Sequence, residues 1–272
     1  MTQQEKGAAF RALHHRPGAF VIPNPWDVGS ARLLAQLGFE ALATTSAGYA
    51  FSRGLPDGAI TRDEMIAHVA DLVRATVLPV SADLENGYAA TPKAVAETYR
   101  LAAEAGVVGA SIEDTTGDPA HPIFDRDAAV ERVRAAAEAL HALSCPFTLT
   151  ARAENYLHGR PDLADTIARL QAYQEAGADV LYAPGLTTRE EIAAVVRAVD
   201  SPVNVLMGMR GSALTLHDLS ALGVKRVSTG SALCRAALGA LLRAATEIRD
   251  HGTFEFTADA PAYREIAARF ES

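Results

Sequence analysis

Eight short runs rich in Val, Ile, Leu and Thr, at 19–22, 41–45, 79–82, 109–112, 147–151, 179–183, 203–206 and 226–229, alternate with longer stretches of helical apolar spacing. That alternation constrains the chain more than any other feature, because strands joined through helices pair in parallel. Several runs are apolar at consecutive positions, the pattern of parallel strands covered on both faces. The helices between them have legible ends. Thr61 with Glu64 and Thr188 with Glu191 are spaced as capping boxes, and Thr91-Pro92 puts proline at a first helical position. Gly106, Gly177 and Gly223 stand where a helix closes through a left-handed turn, as in Glu104-Ala105-Gly106-Val107-Val108. Eight such units favour a closed (β/α)8 TIM barrel over an open doubly wound sheet, and no G-x-G-x-x-G follows the first strand. A barrel of this kind takes about 250 residues, so residues 1–272 are read as a single domain. Residues 252–272 form a helical tail of the same domain that caps the barrel or packs on another subunit.

Composition narrows the partners. A hydrophobic share of 49% supports a sizeable core, and 236–242 reads as a packed helix. The net charge of −8, without a Lys/Arg run, argues against nucleic acid and anionic membrane surfaces. No apolar run approaches the roughly 20 residues of a membrane span, and residues 1–16 do not resemble a signal peptide. Cys145 and Cys234 form no motif, and together these features predict a cytoplasmic protein. Cys145 falls at a strand start, the wrong rim for chemistry, and Cys234 inside a helix, so neither reads as a nucleophile.

In a TIM barrel the strand ends gather on one rim, and three acidic clusters fall there: Asp57 in Leu55-Pro56-Asp57, Asp83 and Glu85 in 81–88, and Glu113-Asp114. Crowded carboxylates repel one another and stay ionised only beside a cation. All-oxygen ligands point to Mg²⁺, with Mn²⁺ as its natural substitute. Asp83 and Glu85, two apart on an extended segment, would point the same way. Of Glu113 and Asp114, one could hold metal waters or move protons while the other caps a segment or pairs with an Arg. Arg152, ending the fifth run, could grip a substrate carboxylate or form a salt bridge to Glu113 or Glu154. Thr45-Ser46-Ala47-Gly48 offers a hydroxyl and backbone amides to an anion, or a tight turn. Ser228-Thr229-Gly230-Ser231 could bind phosphate on free amides or simply pack strand against helix. His121, in the loop 115–124, could donate a proton, although a lone surface histidine is the commoner case.

Taken in order, Asn24-Pro25-Trp26-Asp27, Thr45-Ser46-Ala47-Gly48, Asp83-x-Glu85-x-Gly87-Tyr88, Ile112-Glu113-Asp114, Ala151-Arg152 and Gly223-Val224-Lys225-Arg226-Val227-Ser228 closely resemble the isocitrate lyase/phosphoenolpyruvate mutase superfamily. The resemblance spans roughly residues 10–245. It implies a (β/α)8 barrel, usually a homodimer or homotetramer with the C-terminal helix packed on a neighbour. It also implies Mg²⁺-dependent making or breaking of C–C or P–C bonds beside a 2-oxo acid, through an enolate of pyruvate or a relative.

Carried over by position, the resemblance makes Asp83 the direct metal ligand, with Glu85 and Glu113 holding its waters. Ser46, with the amides of Ala47 and Gly48, becomes the seat of the substrate carboxylate or enolate oxygen, and Asn204 lines the pocket. Asp57 becomes the acid beside the reacting centre, and Arg152 the anchor of a carboxylate or leaving group. The departures narrow the reaction. The lyases' Lys-x-Cys-Gly-His segment is missing from 115–122, which disfavours isocitrate-type cleavage through a thiol. The usual Asp-x-Asp is Asp83-x-Glu85, the aromatic two before the serine is Thr44, and the sixth strand runs into Ala183-Pro184-Gly185 instead of a glutamate. Decarboxylation of oxaloacetate or a related 3-carboxy-2-oxo acid needs no base to begin and is the expected reaction. The alternatives are P–C chemistry on a phosphonopyruvate-like substrate with Thr115, Thr116 or His121 on the phosphoryl group, and a C–C lyase using Tyr49 or His121 as proton donor. A binding paralogue without turnover is the remaining reading.

Overall fold

The computed structural model describes residues 1–209 and 211–271. Its strands are β1 (Phe20–Ile22), β2 (Leu42–Ala43), β3 (Val80–Asp83), β4 (Gly109–Glu113), β5 (Thr148–Arg152), β6 (Val180–Tyr182), β7 (Val203–Leu206) and β8 (Arg226–Ser228). The helices are α1 (Gln3–His15), α2 (Val28–Gln36), α3 (Ser46–Ser52), α4 (Arg62–Ala75), α5 (Pro92–Glu104), α6 (Arg126–His141), α7 (Leu163–Glu175), α8 (Arg189–Ala198), α9 (Leu216–Ala221), α10 (Ala232–His251) and α11 (Tyr263–Ala268), with a 3₁₀ turn at Glu255–Ala258. All strand pairs are parallel, in the order β1-β8-β7-β6-β5-β4-β3-β2. This is a (β/α)8 barrel with additional helices at its C-terminal end. Among the described residues no helix is long and apolar enough to cross a membrane.

The strand ends differ from their expected positions in an informative way. β2 stops at Ala43 because Thr45 turns into the N-cap of α3, its hydroxyl accepting from the Gly48 amide. β3, β4 and β5 each run one residue further than expected and finish on Asp83, Glu113 and Arg152. The capping box at Thr61 and Glu64 is reciprocal. At α8 Thr188 caps the Glu191 amide, but the Glu191 carboxylate accepts from Thr188 Oγ1 (2.7 Å) and Tyr156 OH (3.0 Å) instead.

β1 is apolar at every position, but β4, β5, β7 and β8 carry polar residues on one face. Ala110 and Ile112 of β4, and Leu149 and Ala151 of β5, join the core between sheet and helices. The alternate residues Ser81, Ser111, Asn204 and Ser228 turn into the barrel and line a cavity with the acids. At the opposite end α1 closes the barrel, with Phe10 fully buried and set edge-on to His14 and Phe20. Gly109 makes room for it, since a Cβ there would come within 2.6 Å of Phe10 Cε1.

Between β1 and β2 the ladder is replaced by Ala43 N–H donating to Pro23 O (3.1 Å) and by Asn24. The Asn24 amide donates to Thr44 O (2.8 Å), while its Oδ1 accepts the amides of Thr229 (2.8 Å) and Gly230 (2.9 Å). One buried side chain thus ties β1, β2 and the end of β8 together.

The C-terminal part is less enclosed than expected. α10 buries only Cys234, and Leu241 and Leu242 are 63% and 67% exposed, so 236–242 is not a packed helix within one chain. The tail returns to its own α2, where Arg32 bonds Phe270 O (3.1 Å) and lies 5.6 Å from the Phe270 ring.

Replacing Asn24 with Ala leaves two amides and a carbonyl without their partner. Urea unfolding is expected to show a loss of about 2–3 kcal/mol; an unchanged midpoint would mean that Asn24 does not close the barrel.

Candidate active site

Asp83 ends β3 at the centre of the C-terminal rim and is held on every side. Its Oδ2 accepts the Ser46 amide (3.0 Å) and hydroxyl (2.9 Å), its Oδ1 the Ser111 hydroxyl (3.2 Å) and Arg152 Nη1 (3.1 Å). Its own amide donates to Thr44 Oγ1 (2.8 Å). Arg152 reaches it from two strands away because β5 pairs with β4 and β4 with β3. The same guanidinium lies 3.1 Å from Glu113 Oε2 and 2.8 Å from Glu154 Oε1, with the Tyr182 ring 5.1 Å beneath it. Arg152 is therefore shared among three carboxylates, and no hydrogen bond engages its Nη2 among the described residues.

Glu85 reaches the site by another route than the extended alternation expected. β3 has ended, and Glu85 adopts a left-handed φ of 48°, followed by Gly87 at 84° and Tyr88 at 53°. Non-glycine residues in that region mark a constrained turn. Here Tyr88 OH donates to Glu85 Oε1 (3.0 Å), the Tyr88 amide to Asn86 Oδ1 (3.1 Å), and Thr98 holds Gly87 O (2.8 Å). Glu113 accepts from Thr115 Oγ1 (2.8 Å). Asp114 takes the structural alternative: deeply buried, it accepts from Arg169 (3.0 Å), Tyr173 OH (2.6 Å) and the Glu154 amide (2.9 Å). That last bond fixes Glu154, which in turn holds Arg152.

Asp83, Glu85, Glu113, Arg152 and Glu154 line a cavity of about 800 Å³. Asp57 is on an exposed turn at its mouth, where burial against the rim and the charge of Asp83 raise its carboxyl above the ordinary range despite the Gly58 amide. Burial first, then Asp83, pushes Glu85 up to about 8. Burial likewise raises Glu113, although Arg152 opposes it. The crowding expected of these acids is real, and a cation relieves it. Among the described residues no three Asp, Glu, His or Cys side chains stand close enough to ligate one ion directly. An all-oxygen set with one well-anchored aspartate and two further glutamates fits Mg²⁺, which keeps several of its waters.

Ser46 and Ala47 line the cavity, and the Ala47 amide meets no acceptor among the described residues. Gly48 departs from its expected place in the anion seat: its amide donates to Thr45 Oγ1 (3.2 Å), and it lies outside the cavity lining. Asn204 lines the floor, bonded to Ser228 Oγ (2.9 Å) and Arg226 Nε (2.9 Å). In the segment after β8 the Thr229 and Gly230 amides bind Asn24, while Gly230 and Ser231 line the cavity. His121 is exposed and paired with Asp118, and Tyr49 stacks on His68 at 3.7 Å; neither lines the cavity. Glu154, Tyr182, Leu157, His158 and Arg226 line it without having been singled out as site residues. For Arg226 the available signal was parity: in β8 Arg226 and Ser228 flank Val227, and both line the cavity.

Residues 10–249 match the family model for phosphoenolpyruvate phosphomutase. The chain is 67% identical to a protein of known structure from Burkholderia cenocepacia J2315, with a TM-score of 0.97 covering 99% of this chain and 97% of that one. It is 32% identical to an oxaloacetate decarboxylase of Paraburkholderia xenovorans over 82% of this chain and 74% of the relative. It is 30% identical to a 2-methylisocitrate lyase of Halalkalibacterium halodurans over 93% and 85% respectively.

Glu85 binds its proton more tightly when folded, near 8, than at the ordinary 4.5 of an unfolded chain. Its contribution to stability is therefore present at low pH and is lost as pH rises through about 8. Metal-free protein is expected to melt progressively lower from about pH 5 to pH 8.5, with Mg²⁺ restoring more at pH 8.5 than at pH 6. Glu85→Gln should flatten that slope in thermal melts; an unaltered slope would remove Glu85 as its source.

Proposed function

This chain belongs to the phosphoenolpyruvate phosphomutase family, within the isocitrate lyase/phosphoenolpyruvate mutase superfamily, and on that premise we propose that it is a Mg²⁺-dependent carbon–carbon lyase that decarboxylates oxaloacetate or a related 3-carboxy-2-oxo acid. The observation that carries this reading is the anchored Asp83 with Glu85, Glu113 and Arg152 around it, in a cavity where no cysteine is found among the described lining residues. Asp83, with Glu85 and Glu113 through water, would hold the ion. When bound, Mg²⁺ supplies Lewis acidity toward a 2-oxo carboxylate.

The protein's own groups account for the rest. The Ala47 amide, beside the Ser46 that holds Asp83, receives the oxygen on which negative charge develops, a preorganised contact worth roughly 3–4 kcal/mol per donor in other enzymes. Arg152, with Nη2 unengaged, binds the carboxylate that will leave. As the C3–C4 bond breaks, its electron pair stays on the substrate as the enolate and carbon dioxide departs. A proton must then reach C3, and Asp57, whose carboxyl is raised toward its protonated form, is the group at the cavity mouth to deliver it. No thiol is needed for either step.

Phosphoryl chemistry has weaker support. Thr115 is committed to Glu113, and Thr116 and His121 lie outside the cavity. The same reading takes the chain to be a homodimer or homotetramer, for which the exposed Leu241 and Leu242 on α10 provide an apolar face. Leu241→Glu with Leu242→Glu should reduce the mass measured by light scattering to that of one chain; a wild-type monomer would refute this.

Calorimetric titration of oxalate, a mimic of the pyruvate enolate, tests the site. Binding is expected only with Mg²⁺ present, together with turnover of oxaloacetate. Arg152→Ala should lower kcat/KM at least about a hundredfold while Mg²⁺ still binds. Oxalate binding neither with nor without the metal would sink the enolate reading and leave a binding paralogue. Full activity in Arg152→Ala would remove that residue from the mechanism.

A further inference from the structure

Beneath the acids lies a cation that no acid among the described residues meets. Arg226 points inward from the start of β8, is 5% exposed, and forms part of the cavity floor. Its Nε donates to Asn204 Oδ1 (2.9 Å) and its Nη2 to Thr150 Oγ1 (2.9 Å). Its Nη1 lies 3.4 Å from His14 Nε2, on a ring whose Nδ1 is 2.9 Å from Phe10 O. With Nδ1–H donating to that carbonyl, Nε2 is an acceptor and the imidazole is neutral. All three partners are thus uncharged, and no carboxylate stands within ion-pair distance among the described residues.

Arg152 and Arg169 meet carboxylates, and Arg132, which like Arg226 has only neutral partners, does not line the cavity. Arg152 is shared by three carboxylates, and Arg169 lies between Asp114 and Asp165. Arg132 binds three backbone carbonyls and sits 4.5 Å from the Phe124 ring, away from the cavity. A buried charge left without a counter-charge is costly and survives where something in the working protein meets it. Here the open side of Arg226 is the cavity.

We propose that Arg226 is a specificity-determining residue, whose unneutralised positive charge under the cavity makes the site prefer ligands with two negative charges to otherwise similar ligands with one. It acts through its field, without touching the reacting atoms. The ligand class used to test it rests on the 2-oxo-acid reading above; the sign of its effect on a cation does not.

Oxalate (dianion) and oxamate (monoanion of nearly the same shape) are titrated with Mg²⁺ into wild type, Arg226→Met and Arg226→Lys, and Mg²⁺ alone into each. In Arg226→Met the oxalate-to-oxamate affinity ratio should fall about three- to tenfold, and Mg²⁺ alone should bind more tightly by a similar factor. Arg226→Lys, which restores the charge but not the planar fork, should recover most of both. Arg226→Gln replaces the Met variant if that one does not fold. An unchanged ratio with unchanged Mg²⁺ affinity would overturn the proposal. So would a Lys variant as impaired as the Met variant, because hydrogen-bond geometry would then be the cause. If wild type binds neither oxalate nor oxamate, the 2-oxo-acid reading fails by itself, while the Mg²⁺ arm still decides whether the charge of Arg226 reaches the cavity.

Discussion

The site depends on a guanidinium balanced against several carboxylates in a place largely closed to water. Arg152 touches Asp83, Glu113 and Glu154 at once, so the ends of β3, β4 and β5 are linked by charge as well as by backbone ladder. An arrangement of this sort is stabilising only while every charge has a partner, and removing one leaves the others exposed to mutual repulsion. The supporting layer acts accordingly. Asp114 fixes the Glu154 amide, Ser46 and Ser111 hold Asp83, and Tyr182 lies under Arg152. The chemistry attributed to the rim therefore rests in part on Asp114, a side chain outside the cavity lining.

Much of the fold was legible because its signals are local. The strand runs, the prolines and glycines at helix ends, and the Thr61 cap each report on a few neighbouring residues, and each has its counterpart in the structure. What escaped was decided at a distance. Whether α10 is covered depends on surfaces remote in the sequence, and a run such as 236–242 has the same composition in either case. The polar lining of the barrel was misread because an inward Ser or Thr between apolar neighbours scarcely disturbs an apolar run.

The candidate site divides along the same line. Asp83, Glu113 and Arg152 were accessible from sequence since each ends a strand, and strand ends share a rim. Glu85 was identified, but its route was not: the left-handed turn depends on Tyr88 and Thr98 reaching back to it. Gly48 looked like part of an anion seat, yet whether a first-turn amide is free turns on the rotamer of Thr45, which no spacing reveals. Arg226 lay inside a quoted motif without a role, because a lone arginine in a strand becomes informative only when its partners prove to be neutral.

Barrel closure also has a history in time. Asn24 is 205 and 206 residues from the two amides it accepts, and β1 pairs with β8 rather than with any strand made early. On a ribosome the first strand emerges long before its partner exists, so the edge of β1 that faces β8 must wait through the synthesis of nearly the whole array. Non-local pairing of this kind is slow, and unpaired edges invite association with other chains. Nascent copies are thus most vulnerable in the interval before β8 is released, and it is the last ladder, not the active site, that marks the moment at which the chain becomes safe from its neighbours.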